Sequence, residues 1–347
     1  MKGLSIGAKI GGSFFLLAFL LIATIGITIW QVTETTAISQ RAIELRAPTA
    51  RTSVLLLNGV NHSLAALRGW IILGADKFKQ ERAGAWVEID RSLAAMDGFS
   101  KNWTNPKNVA ALAQMKGLFE QFKGYQQEIE DIAQTTENRP ASKMLLIEAA
   151  PQASILVDRI TKIINIEAKL EATPKRKALL GMMADVRGTT ARSLANIRAF
   201  LLSGQPVFEE RFNTMWTKNI KRFGDLQQNA NLLNPAQRKL FAEFSKARAV
   251  FSPLPSKMFE IRKGNEWNMA NRWLGTKAAP TAFKIKEILD GMAENQRQLL
   301  ETDSAAAKEK SSTLLTVNWV LLAVGLVVAL FLGFVVTRNI ARLMAAL

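Results

Sequence analysis

The sequence contains no cysteine and only one histidine, which narrows the classes of function open to it. Without cysteine there is neither a disulfide framework nor a thiolate metal site. His62 alone does not make a metal site, and its ordinary interpretation is a residue on a helix face. The sequence also has no His/Cys/Ser group typical of nucleophilic catalysis and no glycine loop with phosphate-binding spacing. We therefore expect a non-enzymatic protein that needs no cofactor or metal.

Strand signals are equally scarce. No run of residues alternates Val, Ile or Thr with polar side chains, as a half-buried strand would. Apolar residues recur instead at the spacing of a helix face, and short turns separate these runs. The predicted fold class is all-α, with two transmembrane helices flanking a duplicated long up-down helical bundle.

Charge is missing from residues 10–30 and 311–337, which contain no Asp, Glu, Lys or Arg. A helix needs roughly 20 apolar residues to cross the bilayer core. Trp30 and Trp319 lie near an end of each stretch, where tryptophan is common in spanning helices. We predict transmembrane helices over residues 10–32 and 313–337. A signal peptide is the alternative for the first, but its apolar run exceeds about 15 residues and no cleavage site follows it.

Basic residues flank both predicted spans on their outer ends. Lys2 and Lys9 precede the first span, and Arg338 and Arg342 follow the second. Positive flanks favour the cytoplasmic side of a membrane. We therefore expect short cytoplasmic tails over residues 1–9 and 338–347 of an inner-membrane protein, with the large middle domain on the opposite side.

The domain between the spans is strongly basic. Of 45 Lys and Arg, six lie outside residues 47–312, and of 29 Asp and Glu, two do, which leaves 39 bases against 27 acids. The resulting charge of about +12 attracts anions such as phosphate lipids or small carboxylates. The alternative is an ordinary lysine-rich solvated surface. Nucleic acid is not an expected partner across a membrane.

Proline and glycine divide the domain into helices. One helix is predicted from the first span to about Leu73, irregular at Pro48 and ended by Gly74. The second helix is predicted to end at about residue 102, the third to begin at Pro106, and the fourth to follow the loop at 138–140 and bend at Pro151. Further helices are predicted over 174–203, 206–231 and 235–252. The last is predicted from about Pro280 into the second span. Two predicted apolar stripes are Val54, Leu57, Val60, Leu64, Leu67 and Ile71, and Leu156, Ile160, Ile163 and Leu170.

A segment near the end of the first helix occurs twice. Residues 63–74 (SLAALRGWIILG) recur without a gap as residues 193–204 (SLANIRAFLLSG), at an offset of 130. Breaks and aromatic anchors repeat with it: Phe78 and Phe208, Trp86 and Trp216, Asn105-Pro106 and Asn234-Pro235, and Phe122 and Phe251, the last two pairs one residue out of step. We interpret residues 33–173 and 174–312 as two copies of one bundle module, with Trp86 and Trp216 in the core.

Two candidate binding groups come from these copies. Arg68 and Arg198 are equivalent and lie beside aromatic residues, so an arginine fork in a bundle crevice is a candidate for holding a carboxylate. The alternative is an arginine that packs along the bundle with its charge in water. Lys175, Arg176 and Lys177 form a basic turn between the copies, which is a candidate for anionic lipid or else an ordinary solvated turn.

The residues resemble the chemoreceptors known as methyl-accepting chemotaxis proteins. The opening MKGLSIGAKI resembles the start of such receptors, and residues 197–204 (IRAFLLSG) are similar to a motif of their four-helix-bundle sensor domains. The duplication resembles the helical bimodular sensor, which implies binding of small organic acids in stacked modules. Residues 336–343 (VTRNIARL) resemble the entry to a HAMP linker, with Asn339 where the family usually has proline.

One departure from this family shapes the functional expectation. A chemoreceptor continues into about 250 residues of signalling coiled coil, whereas this sequence ends at Leu347. In architecture the chain is then similar to magnetosome proteins that bind and tubulate membrane. The main hypothesis is a scaffold that binds anionic membrane and shapes or senses its curvature. The alternative is the sensor portion of a receptor for small organic anions. Homodimerisation and contacts with other membrane or organelle-organising proteins are also expected.

Overall fold

A computed structural model describes residues 5–344, and all regular structure in that range is helical. The helices are α1 (Ile6–Gln40), α2 (Ala47–Leu73), α3 (Lys77–Ser100), α4 (Pro106–Ala133), α5 (Pro140–Met144), α6 (Ala150–Glu167), α7 (Pro174–Ser203), α8 (Pro206–Gln228), α9 (Pro235–Phe251), α10 (Leu254–Lys263), α11 (Met269–Trp273) and α12 (Ala279–Met344). The all-α prediction is confirmed. Lys2, on which the prediction of topology partly rests, and Leu347 lie outside the described residues.

The first and last helices contain both uncharged stretches. Each includes a window that is long enough and apolar enough to cross a membrane, and neither window is buried by the rest of the chain. The side-chain hydroxyl of Thr28 in α1 donates a hydrogen bond of 2.8 Å to Oδ1 of Asn318 in α12. A polar contact between two apolar helices favours their association in a membrane.

Three π-turns interrupt the helices, and each ends at an Ala-Pro pair. They are Arg41–Arg46 before Pro48, Leu145–Ala149 before Pro151, and Leu274–Ala278 before Pro280. Proline offers no N–H and its ring collides with the carbonyl four residues back. In each case the alanine N–H bonds instead to the carbonyl five residues back, as at Ala47 and Ala42. The irregularity predicted at Pro48 is confirmed, and α12 begins at Ala279, as predicted at about residue 280. The π-turn Leu274–Ala278 joins it to the short helix α11.

The chain forms two compact units that are discontinuous in sequence. Unit one comprises the part up to Ser63, Ala83–Leu118 and the part from Phe283; unit two comprises Leu64–Arg82 and Phe119–Ala282. Helix α6 lies within the first copy in the sequence but belongs to unit two with α7–α9, and most of α12 belongs to unit one. The compact units therefore divide the chain differently from the sequence repeat, whose boundary is at residue 173.

Unit two has its core between α6, α7, α8, α9 and α10. The predicted residues Leu156, Ile160 and Ile163 are fully buried there, together with Phe200, Phe244 and Phe251. Leu170 lies beyond the end of α6 and is 37 % exposed, so its assignment to that stripe is wrong. Phe212 packs edge-on against Phe259 with ring centroids 5.1 Å apart. Aromatic packing of this kind adds to the stabilisation from burial.

Unit one packs a small residue against a large one where α2 meets α3. Gly59 faces Ile89, and a Cβ at position 59 would lie 2.6 Å from Cγ1 of that isoleucine. Glycine therefore permits the close approach of the two helices. Of the predicted α2 stripe, Val60 is fully buried, whereas Val54 is half exposed because Leu56 takes the inward position. Trp86 is buried as predicted.

The repeated glycines end α2 and α7 in the same way. Gly74 has φ of 64° and Gly204 has φ of 68°, the left-handed conformation that terminates helices. A side chain donates to carbonyls of the last turn in each copy: Gln134 Nε2 donates to those of Trp70 at 2.6 Å and Ile71 at 3.2 Å, and Arg262 Nε donates to that of Leu201, the equivalent of Ile71, at 2.9 Å. The same capping geometry is thus achieved with an amide in one copy and a guanidinium in the other.

Replacing Gly204 with alanine should destabilise the protein by about 1–2 kcal/mol. The left-handed conformation costs an L-residue about 1 kcal/mol or more, and the new Cβ would lie 2.7 Å from Nη2 of Arg262. Gly188→Ala is the control, because Gly188 is exposed inside α7 with open space around it. That change should stabilise by about 0.5–1 kcal/mol. Equal shifts of melting temperature in the two variants would contradict the assignment.

Candidate functional site

Arg68 and Arg198, the equivalent arginines of the two copies, lie on exposed helix faces. Each is solvent-accessible, and neither has a hydrogen bond or ion pair with another residue in the range 5–344. Both belong to unit two. Their geometry corresponds to an arginine that packs along the bundle with its charge in water. His62 is exposed on α2 as well.

The basic turn between the copies divides into two kinds of residue. Lys175 and Lys177 are exposed. Arg176 is instead held within unit two: its Nη2 donates to Oε2 of Glu167 at 2.7 Å and its Nη1 to the Leu232 carbonyl at 3.1 Å. Glu167 is 2 % exposed at its side chain, so this is a largely buried pair. Arg176 therefore has a structural partner, and the two lysines alone present free charge.

A different arginine occupies the interior of unit two. Arg248 in α9 is only 6 % exposed. Its guanidinium lies between two aromatic rings, with Cζ 4.6 Å from the centroid of Trp216 and 4.4 Å from that of Phe223. Cation–π contacts on both faces partly replace the water lost on burial. Trp216 is half-buried and takes part in the core as predicted, but it also forms one wall of this site.

The amide of Asn219 holds the edge of the guanidinium. Its Oδ1 accepts a hydrogen bond from Nη1 of Arg248. Its Nδ2 donates to the hydroxyls of Thr189 at 2.8 Å and Thr190 at 3.0 Å and to the Val186 carbonyl at 3.0 Å. Because the threonine hydroxyls donate to their own helix, they accept from Asn219 and so fix which end of the amide faces the arginine. We call Arg248, Asn219, Thr189 and Thr190 the Arg248 layer.

No carboxylate within residues 5–344 pairs with Arg248. A guanidinium has five N–H donors, and that of Arg248 donates one hydrogen bond, to Asn219, within residues 5–344. Burial lowers the pKa of Arg248 to about 10. The group nevertheless stays charged at neutral pH, so the interior of unit two contains an uncompensated cation. Burying a charge in this way is costly unless something pairs with it.

One further polar group lies near this layer on α7. Ser193 is fully buried, and its hydroxyl has no hydrogen-bond partner among residues 5–344. It is three and four residues after Thr190 and Thr189, so the three share a helix face. A buried donor without an acceptor is uncommon in native proteins. The face of α7 toward the core thus offers an additional group for a ligand.

The first copy has apolar residues at the positions of the Arg248 layer. By the repeat, Thr190 corresponds to Val60, Asn219 to Ile89 and Arg248 to Phe119. These three first-copy residues are at most 1 % exposed. Thr189 corresponds to Gly59, the close-packing position in unit one. The second copy has therefore replaced an ordinary hydrophobic layer by a polar, charged one.

The first copy also has a buried arginine, but there the charge is compensated. Nε of Arg82 donates to Oε2 of Glu130 at 2.5 Å, and its Nη2 donates to Gln127 at 2.7 Å. Their positions in the second copy are occupied by Phe212 and Phe259, which contact each other. Buried charge in the first copy is thus structural, whereas Arg248 in the second copy has no such partner.

Reasoning from the sequence missed Arg248 because nothing local marks it. It lies in the run KARAVF, where a single arginine among apolar residues is typical of a helix surface. The usable signal was the repeat itself, which aligns Arg248 with a phenylalanine and Asn219 with an isoleucine. A charge that replaces an aromatic core residue in one copy indicates a change of role.

Comparison with known proteins adds no assignment. No protein-family model matches this sequence, and no curated protein is significantly similar to it.

Proposed function

We propose that this protein is a two-pass membrane protein whose helical bundle binds a small organic anion at the Arg248 layer. The observation that carries the proposal is a buried guanidinium that lacks a carboxylate partner within residues 5–344 and contacts two aromatic rings. A carboxylate is the natural complement of a guanidinium fork, because two parallel N–H···O bonds form between them. The resemblance to chemoreceptor sensor domains supports the same class of ligand.

The site favours a small ligand with one carboxylate. Arg248 supplies the charge, and the unbonded hydroxyl of Ser193 supplies a further donor on α7. The ring of Trp216, which packs against Phe251 with centroids 5.6 Å apart and is only half-buried, offers apolar surface for a short carbon chain. A single buried cation neutralises one negative charge, so a second carboxylate would itself be buried without a partner.

A thermal-shift panel on the full chain in neutral phosphatidylcholine nanodiscs tests this function. Monocarboxylates of two to five carbons should raise the melting temperature by about 5 °C at 100-fold excess over Kd, because binding to the folded state stabilises it. The corresponding amides and alcohols serve as uncharged controls. If acids and amides shift the melting temperature equally, or if no acid shifts it, the proposal is wrong.

Binding of anionic membrane, with shaping or sensing of its curvature, is a second candidate function. It is favoured by the excess of about 12 positive charges in residues 47–312 and by the exposed Lys175 and Lys177. Each exposed base near an anionic surface contributes about 1 kcal/mol. Under this candidate the protein lies in an inner membrane or an organelle membrane derived from it, with cytoplasmic termini. It works as a homodimer or with other membrane-organising proteins.

Vesicle sedimentation separates this candidate from the first. The nanodisc-embedded protein should co-sediment with vesicles in proportion to their phosphatidylserine content, and 0.5 M salt should release it. The double variant Lys175→Glu with Lys177→Glu should weaken that binding. Arg176→Gln is unsuitable as a test variant, because it would break the buried ion pair with Glu167. Binding that is indifferent to lipid charge and to salt would rule this candidate out. Retention of monocarboxylate binding in the lysine variants would keep the two functions distinct.

A further inference from the structure

A polar cleft of about 900 Å³ lies in unit two beside the end of α7. None of its lining residues belongs to the Arg248 layer. Three cationic side chains line it, and its lining contains no carboxylate. The cations are Arg262, Lys263 and Arg272, and the amides of three asparagines, Asn265, Asn268 and Asn271, add further donors. The cleft is therefore lined mainly by hydrogen-bond donors.

Two of the three cations have acidic partners outside the lining, and the third does not. Lys263 pairs with Glu209 at 2.9 Å, and Arg272 pairs with Glu266. Arg262 uses its Nε to cap α7 at the Leu201 carbonyl, and its guanidinium stacks on Trp267 with Cζ 4.4 Å from the ring centroid. Its two terminal nitrogens have no acceptor within residues 5–344. Arg262 is thus a preoriented fork at the wall of the cleft.

The first copy has different residues at several positions that line this cleft in the second copy. The ion pair of Arg272 with Glu266 is repeated there as Lys143 with Glu137, so this pair belongs to the common framework. The positions of Gly275 and Thr276, by contrast, correspond to Leu146 and Ile147, both about 60 % exposed. Open space at Gly275 and the charge of Arg262 are therefore features of the second copy alone.

We propose that this cleft binds a phosphate group, either on a soluble molecule or on the headgroup of a phosphomonoester lipid. A phosphate has several acceptor oxygens and more than one negative charge, which suits a shell of one arginine fork, further bases and amide donors. A carboxylate would use only part of that shell. The proposal is independent of the anion site at Arg248, since no residue lines both.

Two variants alter the cleft and should leave the fold intact. Arg262→Gln keeps a capping donor for α7, because Gln134 performs that task for α2 in the first copy, while it removes the charge. Gly275→Leu fills the cleft with the residue that the first copy has at this π-turn, and no heavy atom lies within 4 Å of the new Cβ. Lys143→Gln is the matched control, because it removes a base from the corresponding ion pair of the first copy.

Calorimetry on the full chain in phosphatidylcholine nanodiscs decides the proposal. Inorganic pyrophosphate is the soluble probe, and vesicles of phosphatidylcholine with or without phosphatidic acid are the lipid probe. Saturable binding of either probe should fall about tenfold or more in both Arg262→Gln and Gly275→Leu and remain unchanged in Lys143→Gln. Binding in the soluble arm identifies a free phosphate ligand, and binding in the lipid arm alone identifies a headgroup. Absence of binding in both arms, or equal binding by wild type and Gly275→Leu, would overturn it.

Discussion

Arg248→Met should weaken binding of the organic anion by about 100-fold or more and change the stability of the protein only slightly. A lowered pKa means that the fold disfavours the charged arginine; the charge is present at neutral pH in both folded and unfolded states, so the full cost of about 3 kcal/mol applies there. Methionine removes that cost and loses the two ring contacts and the bond to Asn219. We expect a net stability change within about 1 kcal/mol, in either direction.

The same substitution at Arg82 supplies the matched comparison. Arg82 and Glu130 form a pair whose side chains are 8 % and 12 % exposed. Removing the arginine leaves a nearly buried carboxylate without a partner, so Arg82→Met should cost about 3–5 kcal/mol. Anion affinity at the Arg248 layer should be unaffected. Chemical or thermal unfolding of the two variants, together with ligand titration, gives opposite patterns if one buried arginine is functional and the other structural. Comparable losses of stability in both would contradict that distinction.

Asp303→Asn should cost about 3–5 kcal/mol in unit one. Asp303 accepts two hydrogen bonds from Arg41, at 2.7 and 3.0 Å, and one from Nε of Arg46 at 3.3 Å. Arg46 is 2 % exposed and its Nη1 is buried without a partner. Loss of the carboxylate would leave this buried guanidinium uncompensated. Asp290→Asn, an exposed carboxylate on the same helix, should change stability by less than about 0.5 kcal/mol.

The π-turn is what brings both arginines to one carboxylate. Arg41 and Arg46 are five residues apart, which in a regular α-helix places them about 140° apart around the axis. In a turn bonded from residue i to i+5 they fall on one side. Pro48→Ala removes the reason for the π-turn. It should therefore weaken the link to Asp303, although alanine is the better helix former.

The pH dependence of stability offers a second measurement on Asp303. Burial opposes ionisation, but hydrogen bonds from Arg41 and Arg46 outweigh it and lower the pKa of this carboxyl. Its contribution to stability is thus present above the ordinary carboxyl pKa of about 4 and is lost as the pH falls below that value. Wild type should lose stability on acidification from pH 5 to pH 3 more steeply than Asp303→Asn. Parallel curves would show that Asp303 contributes nothing through its charge.

The framework of the fold was predictable because its signals are local. Uncharged length marks the two apolar helices, proline marks helix starts at Pro106, Pro174 and Pro235, and glycine marks the ends at Gly74 and Gly204. Each of these depends on backbone chemistry within one turn of the residue concerned. The division of the chain into compact units was not predicted, because the placement of α6 and α12 depends on contacts between residues far apart in sequence.

The candidate site was predictable only in its chemistry. A carboxylate-binding arginine was expected, but the expectation fell on Arg68 and Arg198, whose repetition drew attention to them. Repetition preserves features of the common framework, so we expect a function specific to one copy to lie where the copies differ. Arg248 and Arg262 both occupy such positions. Whether an arginine on a helix faces water or a ring depends on packing with other helices, which a single run of residues does not specify.

Titration calorimetry of a short-chain monocarboxylate into wild type and Arg248→Met, side by side in neutral nanodiscs, tests the central claim most directly. We predict saturable one-to-one binding by wild type, no detectable heat with Arg248→Met, and unchanged binding by Arg198→Ala. Equal binding by wild type and Arg248→Met would show that the buried guanidinium is a structural element of unit two and that the anion site lies elsewhere.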